Sequence, residues 1–104
     1  MFGRGKRSRT AHLDVFDSTS PVAHLRIGVV VPRYGRTVAQ RNTLKRRIRE
    51  ILRTEWVPRA ASVAGPAPDL LVRARREAYD ASFAELRLQL TGWWEGRWSR
   101  GFSS

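Results

Sequence analysis

The stretch T-V-A-Q-R-N-T-L-K-R-R-I-R-E-I-L-R-T-E-W, residues Thr37 to Trp56, reads as one amphipathic and strongly basic helix. Thr37 with Gln40 three residues on is a capping box, in which the two side chains satisfy backbone N–H groups that a helix start leaves without partners. Val57 precedes Pro58; proline lacks an N–H and pushes its predecessor out of the helical region, so the helix is expected to stop near Trp56. Leu44, Ile48, Ile51, Leu52 and Trp56 recur at the spacing of a helix face packed on a core. Asn42, Lys45, Arg46, Arg49 and Arg53 occupy the adjacent side, where only Glu50 and Glu55 are acidic. Cations at i+3 and i+4 repel one another. A polyanion is the natural offset, because guanidinium offers phosphate oxygens a planar fork of donors at any physiological pH.

Composition narrows the partner. The 104 residues suit one domain, burying on the order of two thirds of the surface its unfolded chain exposes. Twenty basic residues against nine acidic give a net charge of +11, and eighteen of the twenty are arginine. Nine of the basic residues and a single acid fall between Arg26 and Arg53, so the charge is concentrated. That is the footprint of a nucleic-acid binder. With no cysteine and two histidines, neither a disulfide frame nor a cysteine zinc site can form. No apolar run is long enough for a membrane span, and the basic N-terminus lacks the apolar segment of a signal peptide, so a cytoplasmic protein is expected. An anionic membrane surface is disfavoured as partner, since the apolar helix face is needed for a core with the flanking strands.

In chain order, residues 1–9 are Gly-rich and basic, without periodicity. Thr10 to Asp17 alternates, Leu13 and Val15 pointing one way and His12, Asp14 and Phe16 the other, as in a half-buried strand. Turn residues 18–21 lead to Leu25–Val31, the most β-branched run, which Pro32 ends. These two strands are expected to be antiparallel neighbours. After the central helix, residues 59–68 read as a loop and Asp69–Arg75 as a short strand with a cationic second half. Ser82 and Glu85 form a second capping box, ahead of a helix with Phe83, Leu86, Leu90 and Trp93 or Trp94 on one face. Gly92 and Gly96 weaken its end, leaving residues 92–104 as an aromatic and basic tail. The folded domain is expected over 10–91, as an α/β fold with a small sheet and packed helices.

No catalytic constellation is present. His12 and His24 have no cysteine partner, no serine stands in a G-x-S-x-G elbow, and the glycines make no phosphate loop. An independent hydrolase centred on His12 and Asp14 is the weakest reading. Binding chemistry is better supplied: an outward Phe16 on a sheet beside a basic helix is a stacking platform for unpaired bases. Its alternative is a ring covered in a second small core. Arginines aimed at a backbone fix register without reading base edges, so shape rather than sequence is recognised.

At Arg41-Asn42-Thr43-Leu44-Lys45-Arg46, followed by Ile48-Arg49-Glu50, the chain resembles the protein subunit of bacterial ribonuclease P, whose helix carries R-N-R-x-K-R and then R-E. The resemblance extends back to Val29-Val30-Val31-Pro32-Arg33-Tyr34-Gly35 and forward through Asp69–Ala74 and Ser82–Leu86. It implies a left-handed strand–helix–strand crossover, an exception to the usual rule. It also implies a division of labour. The ribonuclease P RNA, which binds most of the Mg²⁺, cleaves the 5′ leader from precursor tRNA, and the protein binds that RNA and the single-stranded leader, with no further protein required. Arg41, Asn42, Lys45, Arg46 and Arg49, with Arg53 one turn on, are the expected RNA-binding residues. Phe16, with His12 and Arg33, is the expected leader-binding set.

Thr43 departs from the motif's second arginine, Pro32 and Tyr34 stand where Ser and Lys are frequent, and Gly35 comes one residue early. The family also begins with a helix ending in an aromatic residue, and Phe2 sits where that aromatic falls, so most of that N-terminal helix is expected to be missing. A structural RNA-binding protein of ribosomal type is the alternative function. It shares charge, size and lack of catalytic residues, but has no reason to reproduce the spacing of Arg41-Asn42, Lys45-Arg46 and Arg49-Glu50.

Overall fold

In the computed structural model, which describes residues 6–19, 26–61 and 68–98, the β-branched and alternating segments build a four-stranded sheet. Its strands are β1 (Lys6–Arg9), β2 (Leu13–Thr19), β3 (Arg26–Val30) and β4 (Pro68–Ala74), in the spatial order β1-β2-β4-β3. β4 pairs antiparallel with β2, Val15 opposite Val72, and parallel with β3, Val29 opposite Val72. β2 and β3 are therefore not the antiparallel neighbours expected from their closeness in sequence. β4 separates them because its apolar run needs the middle of the sheet: Leu70 and Val72 are 1% and 0% exposed, a burial that neighbours on both sides provide. The basic segment before residue 10 also contributes a strand, β1, whose register sets Arg9 opposite Asp14 and Ser8 opposite Val15.

The central helix has three parts. α1 (Val38–Ile51) starts at the expected capping box, with Gln40 N–H donating to the Thr37 hydroxyl at 3.1 Å and Thr37 N–H to Gln40 Oε1 at 2.9 Å. Leu52–Trp56 then forms a π-helical turn and Val57–Ala61 a short helix, α2. The helix thus runs past Pro58. In the wider turn Val57 N–H donates to the Leu52 carbonyl, five residues back. The register shifts by one residue, and Pro58 falls in a first helical turn, where a missing N–H costs little.

The last helix, α3 (Phe83–Trp98), also outruns expectation. Its Ser82–Glu85 capping box is present, at 2.8 and 3.1 Å, but Gly92 and Gly96 do not end it. Two glycines cost roughly 2 kcal/mol in a helix. Burial of Trp94, 4% exposed, is worth about as much or more, and its ring contacts add to it. Between β4 and α3 a 3₁₀ turn, Arg76–Asp80, carries Tyr79.

All helices whose apolar faces are buried share one core with one face of the sheet. Leu13, Val15, Leu70, Val72 and Ala74 meet Leu44, Ile48, Ile51, Leu52 and Trp56 from the central helix, and Leu86, Leu90 and Trp94 from α3. Trp56 is its keystone: fully buried, it donates Nε1–H to the Leu90 carbonyl at 2.9 Å and packs on Trp93 and Trp94 with centroids 5.1 and 5.5 Å away. Phe83, expected on the core face, is instead 41% exposed. The residues before 6, where the N-terminal helix was expected to end, lie outside those described, as do residues 99–104 of the expected tail.

Candidate nucleic-acid interface

The capping box fixes where α1 begins, and the buried stripe Leu44, Ile48 and Ile51 fixes its rotation. Together they decide which way the cations point. Arg41, Asn42, Lys45, Arg46, Arg49 and Arg53 line one open groove of about 350 Å³, together with Glu50. The six residues expected from the sequence to bind RNA are thus brought together. Their states differ. Arg41 donates Nε–H to the Val31 carbonyl at 2.9 Å, which ties the helix start to the end of β3, and it also reaches Asn42 Oδ1 at 3.3 Å. Arg53 is paired with Glu50 at 2.6 Å. Lys45, Arg46 and Arg49 have no ion-pair partner among the described residues. Three adjacent uncompensated cations in a groove of this size make a ready site for phosphate oxygens.

The second surface is the sheet face turned away from the helices. Cross-strand partners share a face, so the register assembles Phe16, Leu71 and Gly28 in one row and Arg9, Asp14, Arg73 and Val30 in the next. Phe16 and Leu71 are half-buried, whereas Arg9, Arg73 and Val30 are exposed. Phe16 is therefore not a member of the main core. Gly28 keeps the floor flat, because a Cβ there would lie 3.0 Å from Leu71 Cδ1. Arg26, at the same face, is held by Asp69, with Nε to Oδ1 at 2.6 Å, and this carboxylate raises the Arg26 pKa further. Arg9 and Arg73 have no ion-pair partner among the described residues. An aromatic row bordered by free guanidinium groups is the arrangement that stacks bases and holds the backbone of a single strand.

His12 sits elsewhere. β2 begins at Leu13, and His12 lies in the bend before it, its N–H donating to Gln89 Oε1 at 3.0 Å and its ring Nδ1 paired with Gln89 Nε2. The bend closes as Thr10 donates to the same Gln89 oxygen at 2.9 Å. Those bonds direct His12 toward α3, so it does not share the strand face of Phe16. Arg33 is exposed in the connection between β3 and α1 and donates to the Arg36 carbonyl at 3.2 Å. Tyr34 and Gly35 beside it carry φ of 51° and 82°, a left-handed turn that Gly35 adopts without a Cβ penalty.

Four cations of these surfaces were not singled out by sequence reasoning: Arg9, Arg73, Arg36 and Arg47. Arg9 and Arg73 become legible only through strand register, which no local pattern reveals. Arg47 and Thr43, the latter standing where the resembling motif has its second arginine, line a groove on the other flank of α1 with Arg36 and Tyr79.

A family model described as Ribonuclease P matches residues 1–96. The chain is 47% identical over 72 residues to the ribonuclease P protein component of Thermus oshimai, a match covering 68% of this chain and 42% of that protein. The corresponding protein of Syntrophobacter fumaroxidans is 34% identical over 86 residues, covering 83% of this chain and 69% of the relative. Among solved structures, the RNase P protein of Thermotoga maritima superposes with a TM-score of 0.70 at 27% identity, covering 88% of this chain and 83% of that one. The chain spans less than half the length of the Thermus relative it matches. The family match covers nearly the whole sequence, and the chain belongs to the ribonuclease P protein family.

Proposed function

We propose that this chain is the RNA-binding protein subunit of ribonuclease P, the ribonucleoprotein endonuclease that removes the 5′ leader from precursor tRNA. The observation that carries this is the groove on α1 where Lys45, Arg46 and Arg49 stand together with no ion-pair partner among the described residues. In this reading the groove holds the phosphate backbone of the ribonuclease P RNA. Arg41 and Asn42 position its N-terminal end, and Arg53 joins when phosphate displaces Glu50.

The outer sheet face takes the leader. Phe16 stacks on an unpaired base, Leu71 and Gly28 form the floor, and Arg9 and Arg73 neutralise the strand. Arg33 lies at the β3–α1 connection, within the same basic region of the chain. His12, held against Gln89, is better suited to fixing the bend before β2 than to touching the leader. Among the described residues, neither surface brings together a serine, cysteine or histidine with a partnering base. Hydrolysis belongs to the RNA subunit, whose Mg²⁺ supplies the hydrolytic chemistry; the protein lowers repulsion between the two RNAs and positions the leader. The expected setting is the cytoplasm. Family membership does not favour the ribosomal alternative.

Titration of a bacterial ribonuclease P RNA with this protein at several salt concentrations tests the reading. Tight binding with a steep inverse dependence on salt is expected. Binding no tighter than to an unrelated RNA of equal length would overturn it.

A further inference from the structure

The flank of α1 opposite the Lys45 groove carries a second groove, of about 290 Å³, lined by Arg36, Ala39, Gln40, Thr43, Leu44, Arg47 and Tyr79. Arg36 enters it from the β3–α1 connection and is built in: its guanidinium lies over the Tyr79 ring, 5.1 Å from the centroid, and reaches Asp80 at 3.2 Å. The Tyr79 ring is fixed in turn, because its hydroxyl donates to the Pro32 carbonyl at 2.6 Å. Arg47 completes the groove, exposed and with no ion-pair partner among the described residues. A rigid guanidinium on one wall and a free one on the other suit one bound anion between them.

Helix geometry separates this groove from the first. At 3.6 residues per turn, Arg47 is rotated by roughly 160° from both Lys45 and Arg49, taken the short way round. Lys45 and Arg49 therefore stand across a rod about 10–12 Å wide from Arg47, with Arg46, roughly 100° from Arg47, on the ridge between the two grooves. A single backbone track centred on Lys45 and Arg49 runs along the side of α1 turned away from Arg47.

We propose that the Arg36–Arg47 groove binds the phosphodiester backbone of a second RNA segment, so that α1 is gripped between two backbone tracks. This rests on the reading of the chain as a ribonuclease P protein and adds to it a second site. Arg47 makes the contact. Tyr79 and Asp80 are positioning residues that hold Arg36 in place. The second segment belongs either to the ribonuclease P RNA or to precursor tRNA, and phosphate is the chemistry common to both.

The test compares Arg47→Ala, Arg47→Lys and Arg46→Ala, all exposed positions, by the slope of log affinity against log salt. It uses a bacterial ribonuclease P RNA alone, and then precursor tRNA binding to the assembled holoenzyme. Arg47→Ala is expected to flatten the slope by about 0.9 for a duplex contact or 0.7 for a single strand, and Arg47→Lys to restore it. Arg46→Ala should flatten it by a similar amount, and the double variant by the sum. Flattening with the RNA alone assigns the second track to the RNA subunit, and flattening only with precursor tRNA assigns it to the substrate. An unchanged slope for Arg47→Ala in both settings, with Arg46→Ala flattened, overturns the second site and leaves the first. Unchanged slopes for both variants overturn the whole reading.

Discussion

Replacing Phe16 by alanine separates a base-stacking ring from a packing ring. Phe16 stands opposite Leu71 on the face of the sheet that the helices do not cover, and is only half-buried. A phenylalanine enclosed in a core costs about 3–5 kcal/mol when cut to alanine, cavity included. Phe16 lies outside the main core and is only partly buried, so its removal should cost less than the core value, on the order of 2 kcal/mol of stability. Stacking on a base is worth about 1–3 kcal/mol, which is about 5- to 140-fold in affinity. The assay is binding of holoenzyme to precursor tRNA and to mature tRNA without a leader. Phe16→Ala should weaken only the leader-bearing substrate by that factor, and Phe16→Trp should retain most of the affinity. Equal loss for both substrates, or a stability loss of core size, would refute the reasoning and make Phe16 a structural residue.

Removing Lys45, Arg46 and Arg49 together should flatten the salt dependence of RNA binding by about 2.7 if all three meet duplex phosphates. Arg53→Ala alone should do less, because Glu50 already compensates it at 2.6 Å. Trp56→Ala, which empties the centre of the core and removes the indole bond to the Leu90 carbonyl of α3, should cost about 3–5 kcal/mol in urea unfolding. Glu55 accepts from Arg59 at 2.7 Å and from Arg87 at 2.8 Å, tying α2 to α3. These bonds, that from Arg59 first, lower its pKa below the ordinary 4.5. Its stabilisation is therefore complete above that value and is lost as pH falls through the lowered one. Glu55→Gln should reduce the melting temperature at neutral pH, and the gap from wild type should close on acidification; a gap independent of pH would contradict this.

The central helix was legible because its signals are local. A capping box, one apolar stripe and one run of cations agree with one another, and the structure places all three as read. What local pattern could not show was where competing elements win. Pro58 forbids an α-helical hydrogen bond, yet the π turn at Leu52–Trp56 absorbs the missing donor. Gly92 and Gly96 weaken α3, yet Trp94 is drawn into the Trp56 cluster and holds it. The strand order escaped because Leu70 and Val72 select the middle of the sheet by burial, a property of the whole fold. The same limit hid Arg9 and Arg73, which meet Phe16's face only through pairing across β1, β2 and β4. His12 was misplaced by one residue of strand, enough to turn it toward Gln89.

Cleavage of a precursor tRNA by a bacterial ribonuclease P RNA at low Mg²⁺, with and without this protein, tests the central claim most directly. The account predicts stimulation that requires the RNA and is lost when Lys45, Arg46 and Arg49 are replaced together. Cleavage by the protein alone, or no stimulation despite tight binding to the RNA, would contradict it.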